Sequence, residues 1–227
     1  VVIDVPSDAL AAGRNKLEFD LEGNGRYAFS AVLSGFTRTI DGEARDRHVG
    51  VQRRIAPAPL TLDGREIARG YSVLAGSASA VQNPVTQLPA GRFAEVSLYI
   101  GHRETTEGYL VIEEPLPAGA AVIPGSVSGN YDACELRDGR LVFYAGRQDG
   151  GISVRYRLAG SLPGDFRVRP VRVWSLYRPE RLSTGEESAL TVLGRDATSA
   201  DPYRMTPDEL FALGRGRFDK GELDASR

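Results

Sequence analysis

Two adjacent carboxylates, Glu113 and Glu114, are the most conspicuous candidates for chemistry in this sequence. A pair of carboxylates can divide the roles of general acid and general base when both reach one site. Here they follow an apolar stretch and stand just before Pro115, and successive residues of a strand point to opposite faces. We therefore interpret the pair as a strand end that enters a turn, because the two carboxylates cannot share one site.

The one cysteine, Cys134, is a candidate nucleophile. A reactive thiol needs a pKa lowered by neighbouring cations or by a helix N-terminus. The nearest charged neighbours of Cys134 are instead the acidic residues Asp132 and Glu135. We expect a small buried apolar residue, and a single cysteine also excludes an internal disulfide without excluding export from the cell.

Metal-binding and hydrolase patterns are equally weak. The histidines His48 and His102 fall in separate strand-like segments, and no HExxH or CxxC spacing occurs. Residues 219–224 (DKGELD) look like a calcium loop but lack the alternating oxygen ligands. Residues 125–129 (GSVSG) superficially resemble a nucleophile elbow without its strand and helix, so we predict a turn. The sequence predicts no catalytic, cofactor-binding or metal-binding residue and no enzyme; a pocket of titratable groups around His102 or Glu113 would reverse that interpretation.

Aromatic residues leave a second interpretation open. Trp174 and Tyr177 lie near the end of an alternating segment, where they cover a core or an edge. The alternative is a cell-surface adhesion or carbohydrate-binding sandwich with Tyr131 and Trp174 as contacts. Exposed aromatics clustered on one face favour that alternative, and burial of the same residues counts against it.

Charge and hydropathy narrow the class of protein. A net charge of −2 over 227 residues, without a basic stripe, gives no indication of a nucleic-acid partner. No apolar run approaches the roughly 20 residues that cross a membrane. The first residues have neither a basic nor a long apolar region, so they are no signal peptide. Because the chain starts without Met, we expect a fragment whose targeting signal lies outside it.

Frequent turns between short apolar stretches predict an all-β sandwich, since 26 glycines and 13 prolines punctuate the chain. One hairpin is predicted around the turn at 23–25 and a second around the loop at 146–151. The predicted strands are 16–21, 27–33, 49–55, 93–100, 109–112, 141–145, 152–158, 166–174 (with an edge position or a bulge at Pro170) and 187–193.

A helix is predicted over 207–219. Thr206 supplies a hydroxyl cap, Pro207 fits the first turn, and the acids at 208–209 suit the positive end of the helix dipole. The chain then divides into an N-terminal strand hairpin at 1–41, a sandwich at 48–195, and a polar hinge with a helix at 196–227.

Several stretches resemble the C-terminal region of bacterial α2-macroglobulin-like proteins. Val5–Leu33 resembles the hairpin that completes the family's CUB-like β-domain, and Val49–Leu62 resembles the opening V-x-R strand of its last macroglobulin-like domain. The segment 109–119 (YLVIEEPLPAG) is close to the family's YVVVEDPLPAG. Residues 156–158 (YRL), 163–166 (PGDF) and 177–180 (YRPE) follow in the family's order.

The resemblance implies a non-catalytic structural and interaction domain of a periplasmic or cell-surface protease-trapping protein. Its implied partners are the thioester-type domain of the same parent chain and the target proteases. The family's Cys-x-Glu-Gln thioester is absent, because Cys134 is followed by Glu135-Leu136-Arg137. Receptor binding, which depends on lysines in vertebrate relatives, does not carry over to 48–195, which has none. The tail from Leu213 resembles the first helix and turn of a tetratricopeptide repeat, which one repeat alone cannot stabilise.

Overall fold

The computed structural model describes residues 3–11, 13, 15–16, 18–20, 22–24, 28, 30, 49–62, 65–67, 83–102, 108–146 and 150–221. The chain divides into two compact units, Val1–Arg38 and Thr39–Arg227. The first contains a short 3₁₀ helix at Ser7–Ala9. There the Asn15 side chain binds both the N–H and the carbonyl of Ala11, at 2.8 and 2.9 Å.

The hairpin predicted at 16–33 lies largely outside the described residues, and the few that are described there carry no strand. That hairpin stays a prediction. The second unit begins its regular structure at Val49 and contains the sandwich.

The first sheet has five antiparallel strands. Its order is β1 (Val49–Pro57), β5 (Phe93–His102), β11 (Ile152–Gly160) and β7 (Ala120–Val122), and β8 (Ser128–Gly129) also pairs with β11. Every second residue of β11 is buried, so one face of the sheet forms the core and the other faces water. Strand β1 lies at the edge and pairs with β5 over its whole length.

The second sheet also has five antiparallel strands. Its order is β14 (Arg178–Thr184), β13 (Arg172–Ser175), β6 (Leu110–Pro115), β10 (Arg140–Ala145) and β9 (Ala133–Arg137). Buried side chains from both sheets form one contiguous cluster, in which Phe143 and Tyr156 are the largest members. The predicted all-β antiparallel sandwich is confirmed.

Two smaller sheets complete the unit. Strands β12 (Gly164–Val168) and β15 (Ser188–Leu193) are antiparallel, and β4 (Gln87–Pro89) joins β15 in parallel. Strands β2 (Thr61–Leu62) and β3 (Arg65–Glu66) form a separate two-stranded pair.

One predicted strand pairing and one predicted strand were wrong. Strands β10 and β11 do not form a hairpin, because β10 pairs with β6 and β9 whereas β11 pairs with β5, β7 and β8. The loop between them therefore crosses from one sheet to the other. The predicted strand 166–174 is two strands, β12 and β13, which belong to different sheets and are separated around Pro170. Proline cannot donate a ladder hydrogen bond, and the chain leaves one sheet there.

The helix α1 (Pro207–Asp219) has the bounds predicted from the sequence. Its N-terminus is a capping box, in which the Thr206 hydroxyl accepts from the Glu209 N–H and the Glu209 carboxylate accepts from the Thr206 N–H. The Tyr203 hydroxyl also donates to Glu209, which is fully buried. These bonds satisfy backbone donors that a helix start leaves without partners.

The polar segment before α1 is bound to the strand region at 83–89. The Asp201 carboxylate accepts from the N–H groups of Thr86 and Gln87, at 2.7 and 2.8 Å. The Asn83 amide binds both the N–H and the carbonyl of Arg204, each at 2.8 Å. A hinge at this segment would have to break those bonds.

Candidate functional site

The adjacent glutamates point to opposite faces of β6, as the sequence analysis predicts. Glu113 lies on the outer face, where Arg140 Nη1 approaches its carboxylate at 2.9 Å and Arg172 Nη1 at 3.4 Å. Glu114 lies on the inner face and is almost fully buried. The strand continues through both residues and ends at Pro115, so the turn begins after Pro115 and not at it as predicted.

Glu114 belongs to a buried polar cluster with Arg53 of β1 and Tyr156 of β11. The Tyr156 hydroxyl donates to one carboxylate oxygen at 2.8 Å, and Arg53 Nη1 lies 3.3 and 3.4 Å from the two oxygens. The Arg53 and Glu114 side chains are 5% and 1% exposed. The three strands thus place a charged pair and a phenol inside the apolar layer between the sheets.

Arg53 makes its shorter bonds to backbone carbonyls. Its Nη1 donates to the Arg169 carbonyl at 2.7 Å, and its Nη2 donates to the carbonyls of Val168 and Glu186, each at 3.1 Å. Arg53 Nη2 also approaches the Ser188 hydroxyl at 3.4 Å. The guanidinium therefore joins the edge strand β1 to both connections that flank the small sheet.

Burial dominates the electrostatics of the cluster. Desolvation raises the pKa of Glu114 to about 7, although the charge of Arg53 and the hydrogen bond from Tyr156 act in the opposite direction. Desolvation, with the nearby Glu114 charge, also raises the pKa of Tyr156 well above its usual value. Because all three side chains are enclosed, the cluster can bind a proton and hold elements together, but it offers no surface to a substrate.

Cys134 lies on β9, is half-buried and packs against the core. Partial burial raises the pKa of its thiol, and the neighbouring Glu135 raises it further. The thiol form is favoured at neutral pH, which agrees with the interpretation of Cys134 as a small apolar residue.

The aromatic candidates do not form one exposed platform. The Tyr131 ring packs against Phe143 with centroids 5.2 Å apart and contributes to the core. Trp174 is half-buried, and the Arg172 guanidinium lies 5.9 Å from its ring centroid. Tyr177 is 72% exposed in the turn between β13 and β14. The partial burial of Tyr131 and Trp174 counts against the carbohydrate-binding alternative.

Gly119 has a packing role that the sequence analysis missed. A Cβ atom on Gly119 would lie 2.0 Å from a ring carbon of Phe166, so the ring occupies the space of the missing side chain. The Gly119 carbonyl accepts from the Ser161 and Leu162 N–H groups at 2.9 and 3.1 Å. The corner at 115–119 is thus joined to the loop that precedes β12.

The remaining candidates form no site. His48 lies outside the described residues, and the His102 side chain is likewise not described. Ser126 closes a turn that begins at Ile123, to whose carbonyl its hydroxyl donates at 2.7 Å, whereas residues 128–129 of the predicted turn form strand β8. Within the described ranges, no three His, Cys, Asp or Glu side chains are placed to hold a metal ion. In the same ranges, no helix is long and apolar enough to span a membrane.

The sequence held a signal for the buried cluster. On β1, β6 and β11, alternation places Arg53, Glu114 and Tyr156 in the same phase as inward apolar residues such as Val51, Ile112 and Val154. A charge in an inward phase must find a partner, because an unpaired buried charge is very costly. Finding the three partners needs the pairing of the strands, which the sequence does not show.

Comparison with known proteins decides the family. The profile of the bacterial alpha-2-macroglobulin MG10 domain matches residues 64–180, slightly more than half of the 227 residues. The chain belongs to this family. The motifs at 109–119, 156–158, 163–166 and 177–180 lie inside the matched range.

Solved structures match this chain at low identity and with TM-scores below 0.5. Native α2-macroglobulin from Escherichia coli, from domain MG7 to the C-terminus, is 20% identical, with a TM-score of 0.46 over 64% of this chain and 23% of that chain. Salmonella α2-macroglobulin is also 20% identical, with a TM-score of 0.46 over 64% of this chain and 9% of that one. A putative membrane-anchored protein from Corynebacterium diphtheriae is 11% identical, with a TM-score of 0.41 over 74% and 41%.

The chain spans less than a quarter of the length of these α2-macroglobulin structures. A search of curated proteins gave no match.

Proposed function

We propose that this chain is a non-catalytic structural and interaction domain of an α2-macroglobulin-like protein whose parent chain traps endopeptidases. The match to the MG10 domain family carries the proposal. The chemistry of the described residues supports it, because the charged pair Arg53–Glu114 is enclosed and the thiol of Cys134 has a raised pKa. The expected location is the periplasm or the cell surface.

The implied role is to pack against the thioester-type domain of the parent chain and to hold it until a protease cleaves the protein. Such a role depends on buried interface area, and aromatic residues are enriched where interfaces bury most. At one end of the second sheet Tyr109, Leu176 and Tyr177 are 42%, 43% and 72% exposed. The Leu176 N–H donates to the Tyr109 carbonyl at 2.8 Å, which makes these residues neighbours. We propose this patch as the contact surface.

For the two segments that flank the sandwich we propose the roles suggested by the sequence. Residues 1–41 would supply the last strands of a CUB-like β-domain. Residues 196–227 would supply the connection and the first helix of a tetratricopeptide repeat. The outward apolar side chains of Leu210, Phe211 and Phe218 are more than half exposed, which suits a helix that packs against a following one.

The test uses the complete parent protein in a protease-capture assay, with the patch variants Tyr177→Asp and Leu176→Asp. We expect both to lower the fraction of protease captured, because a charge in a buried contact stays unpaired. Leu136→Asp is the matched control, since Leu136 is 65% exposed on the edge strand β9. Capture equal to wild type in both patch variants would reject the surface, and a parent that captures no endopeptidase would reject the function.

A further inference from the structure

The buried carboxyl of Glu114 is poorly compensated for a charged group. A carboxylate offers about four acceptor positions. Among the described residues it receives one short bond, from Tyr156, and two long contacts of 3.3 and 3.4 Å from a single nitrogen of Arg53. The geometry therefore leaves the charged form of Glu114 under-solvated.

Arg53 is the outermost member of the cluster. Its carbonyl partners at Arg169 and Glu186 belong to exposed residues, whereas Glu114 lies deeper and is 1% exposed on its side chain. The guanidinium therefore lies between the surface loops and the carboxyl. Because β1 is an edge strand whose ladder is made with β5, Arg53 is also its tie across the core to β6.

We propose that Glu114 is a proton-binding latch. Its protonation at mildly acidic pH stabilises the sandwich and keeps the edge strand β1 attached. When Glu114 carries a proton, the buried carboxyl is neutral, can hydrogen-bond with Tyr156, and leaves Arg53 bound to its carbonyls. When Glu114 loses the proton, a charge must stay buried with the contacts described above. Withdrawing Arg53 with β1 admits water to that charge, so deprotonation favours opening.

Two strands supply the groups that act on Glu114, and further groups act on Arg53. Arg53 faces Glu114 from β1 and Tyr156 faces it from β11, and these two supply the charge and hydrogen-bond contributions that oppose desolvation. The Val168 carbonyl of β12 and the Ser188 hydroxyl of β15 bind Arg53 and make no hydrogen bond to the carboxyl. Arg140 and Arg172 both contact Glu113, on the opposite face of the sheet.

The direction follows from proton linkage. The pKa of Glu114 is about 7 when folded and 4.5 as a free side chain, so the folded state holds the extra proton between these values. The contribution of Glu114 protonation to the stability of the folded state is complete below pH 4.5, falls as the pH rises, and is lost above pH 7. The ratio of unfolding constants, wild type over Glu114→Gln, should therefore rise roughly tenfold per pH unit from pH 5 to 7 and then level off.

The experiment measures urea unfolding of the chain from pH 5 to 8.5 for wild type, Glu114→Gln and Glu113→Gln. Glutamine keeps an acceptor for Tyr156 but cannot titrate. Glu113→Gln is the matched control on the outer face, and its ratio to wild type should show no rise of that size. A wild-type to Glu114→Gln ratio that stays flat or falls with pH would overturn the latch.

A second measurement does not depend on the variant folding. Carbon-detected NMR of the glutamate carboxyls in the wild-type chain should show one residue that titrates near pH 7. Amide hydrogen exchange, corrected for the intrinsic rate, should show that protection in β1 falls from pH 5 to 7 more than protection in the central strand β10. A chain in which every glutamate titrates below about 5.5 would overturn the proposal.

Discussion

Replacing Gly119 by alanine should destabilise the domain through one identifiable contact. The added Cβ would meet three Phe166 ring carbons at 2.0, 2.5 and 2.5 Å, whereas carbon atoms pack best at about 3.5–4.0 Å. The ring must therefore move by roughly 1.5 Å into its surroundings. Gly119 is not in the left-handed region, so the alanine backbone itself is not strained.

The size of the effect follows from two opposing contributions. Overpacking a well-ordered contact costs about 1–3 kcal/mol. Removing a glycine restricts the unfolded chain and returns about 0.4–1 kcal/mol. We expect Gly119→Ala to lower the free energy of unfolding by about 1–2 kcal/mol. The melting temperature of a domain of this size should then fall by about 2–8 °C.

A double-mutant cycle tests the cause. Urea unfolding is measured for Gly119→Ala alone, Phe166→Ala alone and both together. If the ring is the obstacle, Gly119→Ala should cost nothing, or stabilise slightly, once Phe166 is alanine. Gly194→Ala is the control, because its Cβ would meet nothing within 4 Å and its φ is not in the left-handed region. An equal cost of Gly119→Ala in both backgrounds would refute the packing explanation.

Three further predictions concern the buried pair and the C-terminal segment. Arg53→Met should lower the free energy of unfolding at pH 8 by about 3–5 kcal/mol, because it leaves the Glu114 carboxylate buried without its cation, and urea unfolding that changes by less than 1 kcal/mol would contradict this. Thr206→Ala should cost about 1 kcal/mol of helix stability, seen as lost amide protection in the first turn of α1, whereas Thr206→Ser should retain most of it. Partial burial would raise the pKa of Asp201, but the bonds from Thr86 and Gln87 outweigh it and lower the pKa. Lowering the pH through that depressed pKa should therefore release the 197–206 segment from residues 86–87. Amide hydrogen-exchange rates in 197–206 that change neither in acid nor in Asp201→Ala would argue against this role of Asp201.

The sequence predicted those elements whose signals are local. The strands β5 and β11 alternate apolar and polar residues, and both have the predicted starting residue. The helix bounds follow from Thr206, Pro207 and the closing Gly221, which has a left-handed φ of 77°. Each of these signals is contained in one short segment, so no knowledge of the fold is needed to read it.

The pairing of strands could not be predicted because it depends on distant contacts. The short loop at 146–151 favours a hairpin between β10 and β11, yet β11 lies against β5 instead. At Gly151 a Cβ atom would lie 2.8 Å from the Ile100 carbonyl oxygen, so the chain meets β5 as soon as the loop ends. The seven strands that the sequence analysis missed (β2, β3, β4, β7, β8, β9 and β14) are short or mostly exposed, with little alternation to reveal them.

Four of the motifs that resemble the family are separate in sequence but in contact in the fold. The V-x-R strand contributes Arg53, the EEPLPAG segment contributes Glu114 and Gly119, and the Y-R-L strand contributes Tyr156. The P-G-x-F segment contributes Phe166, whose ring fills the space beside Gly119. Each motif therefore supplies one half of a contact with another. Such coupling makes a change in one of these motifs costly unless its partner also changes.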